Sequence, residues 1–133
     1  MSMSNQTEND ILKAILVGVD PAWRAGTTSY LALFTADPTE VGVFTSEANY
    51  TGYARVPLVK ASAWTDGGST FTNANLIEFP LCTAGTNTVT HYAICTDSTA
   101  GQVITSGVLN ASLNISAGIK PQFSVGSLQV VAD

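Results

Sequence analysis

Few residues in this chain are of a type that performs chemistry, and their spacing argues against it. The one histidine, His91, sits in the apolar run VTHYAI at residues 89–94. A serine–histidine–carboxylate triad needs an activated serine beside the imidazole. Serine is plentiful, yet none lies in a GxSxG elbow. His91 therefore reads as a strand histidine with a satisfied hydrogen bond. Cys82 and Cys95 flank it in sequence, but neither belongs to a CxxC motif, and two cysteines with one histidine make no familiar zinc set. Nothing nearby marks either thiol as reactive. They are expected to be free and buried, since free cysteine behaves as a small apolar residue. If residues 76–81 and 89–95 pair as a hairpin, the two thiols lie too far apart to bridge, because a disulfide needs Cα atoms within about 7 Å.

The carboxylates are no more promising. Asp37 and Glu40 share a loop, and Asp66 and Asp97 stand at turns. Glycosidase chemistry needs two carboxyls facing each other across a cleft, whereas Asp at a turn start bonds its own backbone. The stretch DSTAG at residues 97–101 offers one carboxylate, too few for calcium. There is no P-loop and no dinucleotide fingerprint. The chain reads as a non-enzyme with no catalytic residue, no cofactor and no metal.

What remains is binding. Most aromatics fall in or beside strand-like segments and belong to the core. Trp23, Phe44, Tyr50 and Tyr53 lie in or beside loops and are the candidate interface anchors, or a sugar platform. Packing beneath the long loop competes with that reading and is preferred for these rings.

The elements that must position these residues come in two kinds. A helix is expected first, capped by Thr7 or Asn9, with Leu12, Ile15 and Leu16 spaced i, i+3, i+4 as an apolar stripe. Gly18, Asp20 and Pro21 stop it. A lone stripe of this kind must dock, either on its own sheet or on a neighbouring subunit. From Thr27 onward the pattern changes to short strands between turn residues. Residues 30–34 are apolar on both faces, as in a central strand. Residues 35–52 form a long loop, and Pro57 pushes the strand at 53–59 toward an edge. Trp64 and Phe71 flank the hairpin signal Asp66-Gly67-Gly68. Further strands are expected at 76–81, 89–95, 102–109, 112–115 and 128–131. The fold class is all-β, an antiparallel β-sandwich, jelly-roll-like, with one short N-terminal helix, and residues 1–133 form one domain.

Charge narrows the partners. Five basic residues against ten acidic ones leave a net charge of −5. Lys13, Arg24, Arg55, Lys60 and Lys120 are scattered, which argues against nucleic acid and against anionic membrane surfaces. Charged residues make up 11 % of the chain, under half the usual share of about 25 %. A hydroxyl-rich surface with so little charge suits a protein that sits against other protein or binds carbohydrate. The polar first residues lack a signal-peptide pattern, and the apolar run 11–19 is too short to span a bilayer. Synthesis in a cytoplasm without export is the expectation.

The strings YLALFTADPT at 30–39 and YTGYARV at 50–56 resemble a family of small tailed-bacteriophage virion proteins. FP at 79–80, GTNTVTHYAI at 85–94, GIKPQF at 118–123 and GSLQV at 126–130 follow in the same order. Members of that family are labelled tail-fibre proteins, and the chain is similar in size to capsid decoration, or cement, proteins. The resemblance implies a virion structural protein assembled in the host cytoplasm. Its partners would be the major capsid protein or tail proteins, and its own state a homo-trimer. One compact domain without a fibrous repeat favours a cement protein on the head lattice; a tail-fibre or baseplate protein in host attachment is the alternative. No catalytic residue is carried across.

Overall fold

Alternating side chains on β-strands explain the architecture. The computed structural model describes residues 2–131. In chain order it holds β1 (Ser2–Met3), α1 (Asn5–Leu16), α2 (Ala22–Ala25), β2 (Thr28–Phe34), β3 (Val56–Val59) and β4 (Trp64–Asp66). There follow β5 (Thr70–Asn73), β6 (Ile77–Glu78), β7 (Asn87–Cys95), β8 (Val103–Ile115), β9 (Gln122–Phe123) and β10 (Gln129–Val131). Every strand pairing is antiparallel. One sheet runs β1-β8-β7-β2-β3, a second β10-β5-β4, and a third is the pair β6-β9.

In β2, Leu31 and Leu33 point to one face and Ala32 and Phe34 to the other, and all four are fully buried. Leu33 stands opposite Tyr92 and Ala32 opposite Ala93, so both faces continue onto β7. The first face packs with Leu58, Ile77, Phe79, Phe123 and Leu128 into the main core, between the five-stranded sheet and the two smaller ones. The second face, with Ala93, Cys95 and Val103, is covered by Phe44 of the long loop. This is the antiparallel β-sandwich expected. The central strand and the hairpin at Asp66-Gly67-Gly68 stand where the sequence placed them; the strand expected at 53–59 forms only over Val56–Val59, with Pro57 at the sheet edge.

Several details differ, each for a physical reason. The helix cap is Ser4, not Thr7 or Asn9. Ser4 has extended backbone angles, and its Oγ accepts from the Thr7 amide at 3.2 Å. Pairing of β1 with β8 and the Ser4 N–H bond to the Ile104 carbonyl hold that residue in place, so the helix starts sooner. The helix ends as expected: Gly18 takes a left-handed φ of +73° and Val19 bonds back to the Lys13 carbonyl. A second, four-residue helical turn, α2, starts beyond Pro21.

Residues 76–81 do not make a hairpin with 89–95. Only Ile77 and Glu78 form a strand, and they pair with β9. Phe79 and Cys82 donate their backbone N–H groups to the Pro121 and Ile119 carbonyls, while Pro80 has none to offer. The thiols are nonetheless free, as expected. Cys82 lies in the main core and Cys95 in the core on the far face of the sheet. The strands expected at 102–109 and 112–115 are one strand, β8. The break between them is a bulge: Val89 pairs with Leu113 and His91 with Val108, so residues 109–112 of β8 face Thr90 alone.

Candidate functional site

The long loop, residues 35–55, is tied down by a buried ion pair. Arg55 donates from Nε and Nη2 to the two carboxylate oxygens of Glu47, both at 2.8 Å. Its Nη1 donates to the carbonyls of Asp97 at 2.7 Å and Ala100 at 2.9 Å. The guanidinium also lies 4.9 Å from the centre of the Phe44 ring. The Tyr53 hydroxyl donates to Glu47 at 2.7 Å and accepts from the Leu33 amide at 3.2 Å. Arg55 thus joins the loop to the β7–β8 turn, and Tyr53 joins it to the central strand. Burial, then the bond to Glu47, raises the Tyr53 phenol far above its ordinary range. Burial also pushes the Tyr50 phenol and the Cys95 thiol up to about 12 each. A thiol so raised stays protonated and unreactive near neutrality.

Two of the four loop aromatics meet here, and a third covers the other face of the sheet. Tyr50 and Tyr53 contact edge to face with centroids 5.5 Å apart, and Tyr53 stacks on Phe79 at 6.4 Å. Phe44 packs on Phe34 at 6.4 Å. Tyr50 is buried and its hydroxyl donates to the Pro80 carbonyl at 2.7 Å. Phe44 and Tyr53 are half-buried.

Trp23 stands apart, on the wall of a cavity of about 560 Å³ between α1, α2, the start of β2 and the β7–β8 turn. Asp10 organises that wall. It accepts from Trp23 Nε1 at 2.9 Å, from Gln6 Nε2 at 2.8 Å and from Gln102 Nε2 at 3.3 Å. The indole bond is the main cause that holds the Asp10 carboxyl below its usual range, against some desolvation. His91 is far from such a setting: its Nδ1 bonds the Thr90 hydroxyl at 2.8 Å within the strand. Among the described residues no group of three or more His, Cys, Asp or Glu is placed to hold a metal ion.

The helix stripe does not dock on the chain's own sheet. Leu12 is 55 % exposed, Ile15 71 % and Leu16 74 %, and Val17 and Val19 continue the patch. The buried residue of α1 is Thr7, on the side facing β8. No helix is long and apolar enough to cross a membrane.

A family model described as podophage GP4 fiber I protein gp80 matches residues 2–131. The chain belongs to that family. It is thereby a structural protein of the phage virion. None of the curated proteins compared matches it. The strings that carried the resemblance all lie inside the matched span. In this member of the gp80 family, sequence reasoning passed over the Glu47–Arg55 pair and the Asp10 network. Both join residues by tertiary contact with no motif spacing. The one available signal was an arginine set among apolar and aromatic neighbours, where a lone charge would be costly.

Proposed function

We propose that this chain is a fibre subunit of a podophage tail, assembled as a homo-trimer through the exposed face of α1. The match of residues 2–131 to a family described as a fibre protein carries the reading. It moves the preference from the head decoration favoured by chain compactness to the tail. Leu12, Ile15 and Leu16 stand at i, i+3, i+4 on α1, the spacing of an apolar stripe on one helix face. Leu12, Ile15 and Leu16 make an exposed apolar surface, and a surface this apolar marks a contact site. Fibre, baseplate and head neighbours are the virion partners among which the experiment decides.

The experiment deletes the gene and compares particles. The fibre reading expects heads as heat-resistant as wild type and a loss of adsorption to cells. Heads that leak DNA at lower temperature while adsorption is intact would place the chain on the capsid instead, because a lattice-bound clamp stabilises the assembled state by mass action.

A further inference from the structure

We propose that the open edge of β8, residues 107–115, receives an extended segment of another virion protein as an added strand. β8 runs for thirteen residues, and on its outer side β1 pairs only with Thr105 and Ser106. The Ser4 N–H bond to the Ile104 carbonyl extends that contact by one residue. No strand among the described residues covers 107–115 on that side. Val108 is 65 % exposed, and Asn110, Ala111, Ser112 and Asn114 are exposed as well. An uncovered row of N–H and C=O groups is a template for pairing, and what complements it is the backbone of another strand. β1 is the precedent within the fold: a short extended piece laid antiparallel on this same edge.

The sandwich is also open along that edge. A groove of about 200 Å³ runs between β8 and the segments that carry β9 and β10. Leu109 and Leu113 line it from β8, and Phe123 and Leu128 from the other side, all four packed in or on the main core. A strand laid on β8 turns alternate side chains toward this face. A cavity of about 150 Å³ takes a benzene-sized group, so an inward apolar side chain of the added strand has room here. The unpaired backbone and the groove are separate observations, and both ask for the same occupant.

Charge and edge chemistry narrow that occupant. No residue lining the groove is charged, and residues 101–119 carry no charge. Strand edges left to solvent are commonly guarded by proline or by charge. β3, at the opposite end of the same sheet, is guarded in this way. The Lys60 N–H bonds the Thr27 carbonyl, so alternation along the ladder turns Val56 and Leu58 toward β2 and Pro57 outward, where it has no N–H to give. β8 carries neither guard. The segment it takes is therefore uncharged along the ladder and apolar over the groove. The sheet edges of a second copy are poorly suited to supply it. Pro57 blocks the copy's β3. Pairing with the copy's β8 is confined to 107–115, because β1 holds 105 and 106, and its two-fold centre then falls in the bulge at 109–112, where the ladder is broken. The contact is the same in kind whether the neighbour belongs to fibre, baseplate or head, so it stands apart from the choice among them.

Amide hydrogen exchange, read by mass spectrometry, is compared between the purified full-length chain and intact particles. Residues 107–115 are expected to exchange fast in the purified chain at every concentration, and about tenfold or more slower in the particle. Val108→Pro tests the ladder. Ile104 and Ser106 face β1, so alternation turns the Val108 N–H outward, and proline there leaves the pairing with β7 intact. Asn110→Lys sets a charge beside the groove. Both variants should melt as wild type does and keep its oligomeric state. Each should fall about tenfold in copies per particle, the loss of one good hydrogen bond or the desolvation of one charge. Val108→Thr, which keeps the N–H, should be incorporated like wild type. Equal exchange in the two states, or wild-type incorporation of the folded variants, would overturn the proposal. So would protection in the purified chain that grows with concentration, which assigns the edge to a second copy.

Discussion

Arg55 is the side chain on which the long loop depends. Its fork matches the Glu47 carboxylate, and its remaining donor caps two carbonyls of the β7–β8 turn. Its side chain is 2 % exposed and that of Glu47 17 %. Removing one partner of such a pair leaves the other charge desolvated and alone. Arg55→Ala is therefore expected to cost about 3–5 kcal/mol, measured by urea denaturation. Arg55→Lys keeps the charge but not the planar fork and should fall between. If Arg55→Ala unfolds at the wild-type midpoint, the pair contributes nothing and the loop is held by its aromatic packing alone.

Two elements carry opposite predictions, because one is buried on both faces and the other lies open. In β2, Leu33 is fully buried between Tyr92 and the main core. Leu33→Asp introduces a lone buried charge costing several kcal/mol, against total domain stability of about 5–15 kcal/mol. The expected outcome is insoluble protein, or soluble protein without a cooperative melt. On α1, Ile15 and Leu16 are mostly exposed, so replacing them removes little packing. The double variant Ile15→Glu, Leu16→Glu should melt within a few degrees of wild type, since surface changes fall within about 0.5 kcal/mol. It should run as a monomer by light scattering, against the trimer proposed for wild type. A wild-type monomer, or a variant that stays trimeric, removes the helix seam from the proposal.

At the scale of the whole molecule, burial of ionisable groups sets the pH response. The Cys95 thiol and the Tyr50 phenol are each pushed up to about 12, mainly by burial. In the unfolded chain they titrate near about 8.5 and 10. Between those values the folded protein keeps protons that the unfolded chain has released. Stability is therefore full below about pH 8.5 and falls as the pH climbs to about 12. The melting temperature, followed from pH 7 to pH 11, should be level at first and then decline. Cys95→Ala should flatten the start of that decline, at the cost of a small cavity. A melting temperature that rises above pH 9 would contradict the assigned burial. The same scale holds the virion experiment: deletion of the gene separates adsorption from head strength, and the proposed trimer would act there through avidity. Linked copies gain about 10²–10⁴ in apparent affinity without any new contact.

Much of this was legible in residue order because it is local. Apolar residues on both faces of 30–34, the Asp66-Gly67-Gly68 turn and Pro57 at an edge are statements about neighbours along the chain, and short-range sterics settle them. The poverty of catalytic side chains was equally plain, and the strings that carry the family resemblance are read without any coordinates. Pairing is another matter. Backbone N–H and C=O groups are alike in every strand, so nothing local told Ile77–Glu78 to choose β9 over β7. The cap moved to Ser4 because a two-residue strand, β1, anchors the chain against β8. The Arg55–Glu47 clamp, the Asp10 network around Trp23 and the exposure of the α1 stripe follow from which segments come together in space. Tertiary packing decided these, since the free energy of burying a charge or an apolar face depends on what covers it.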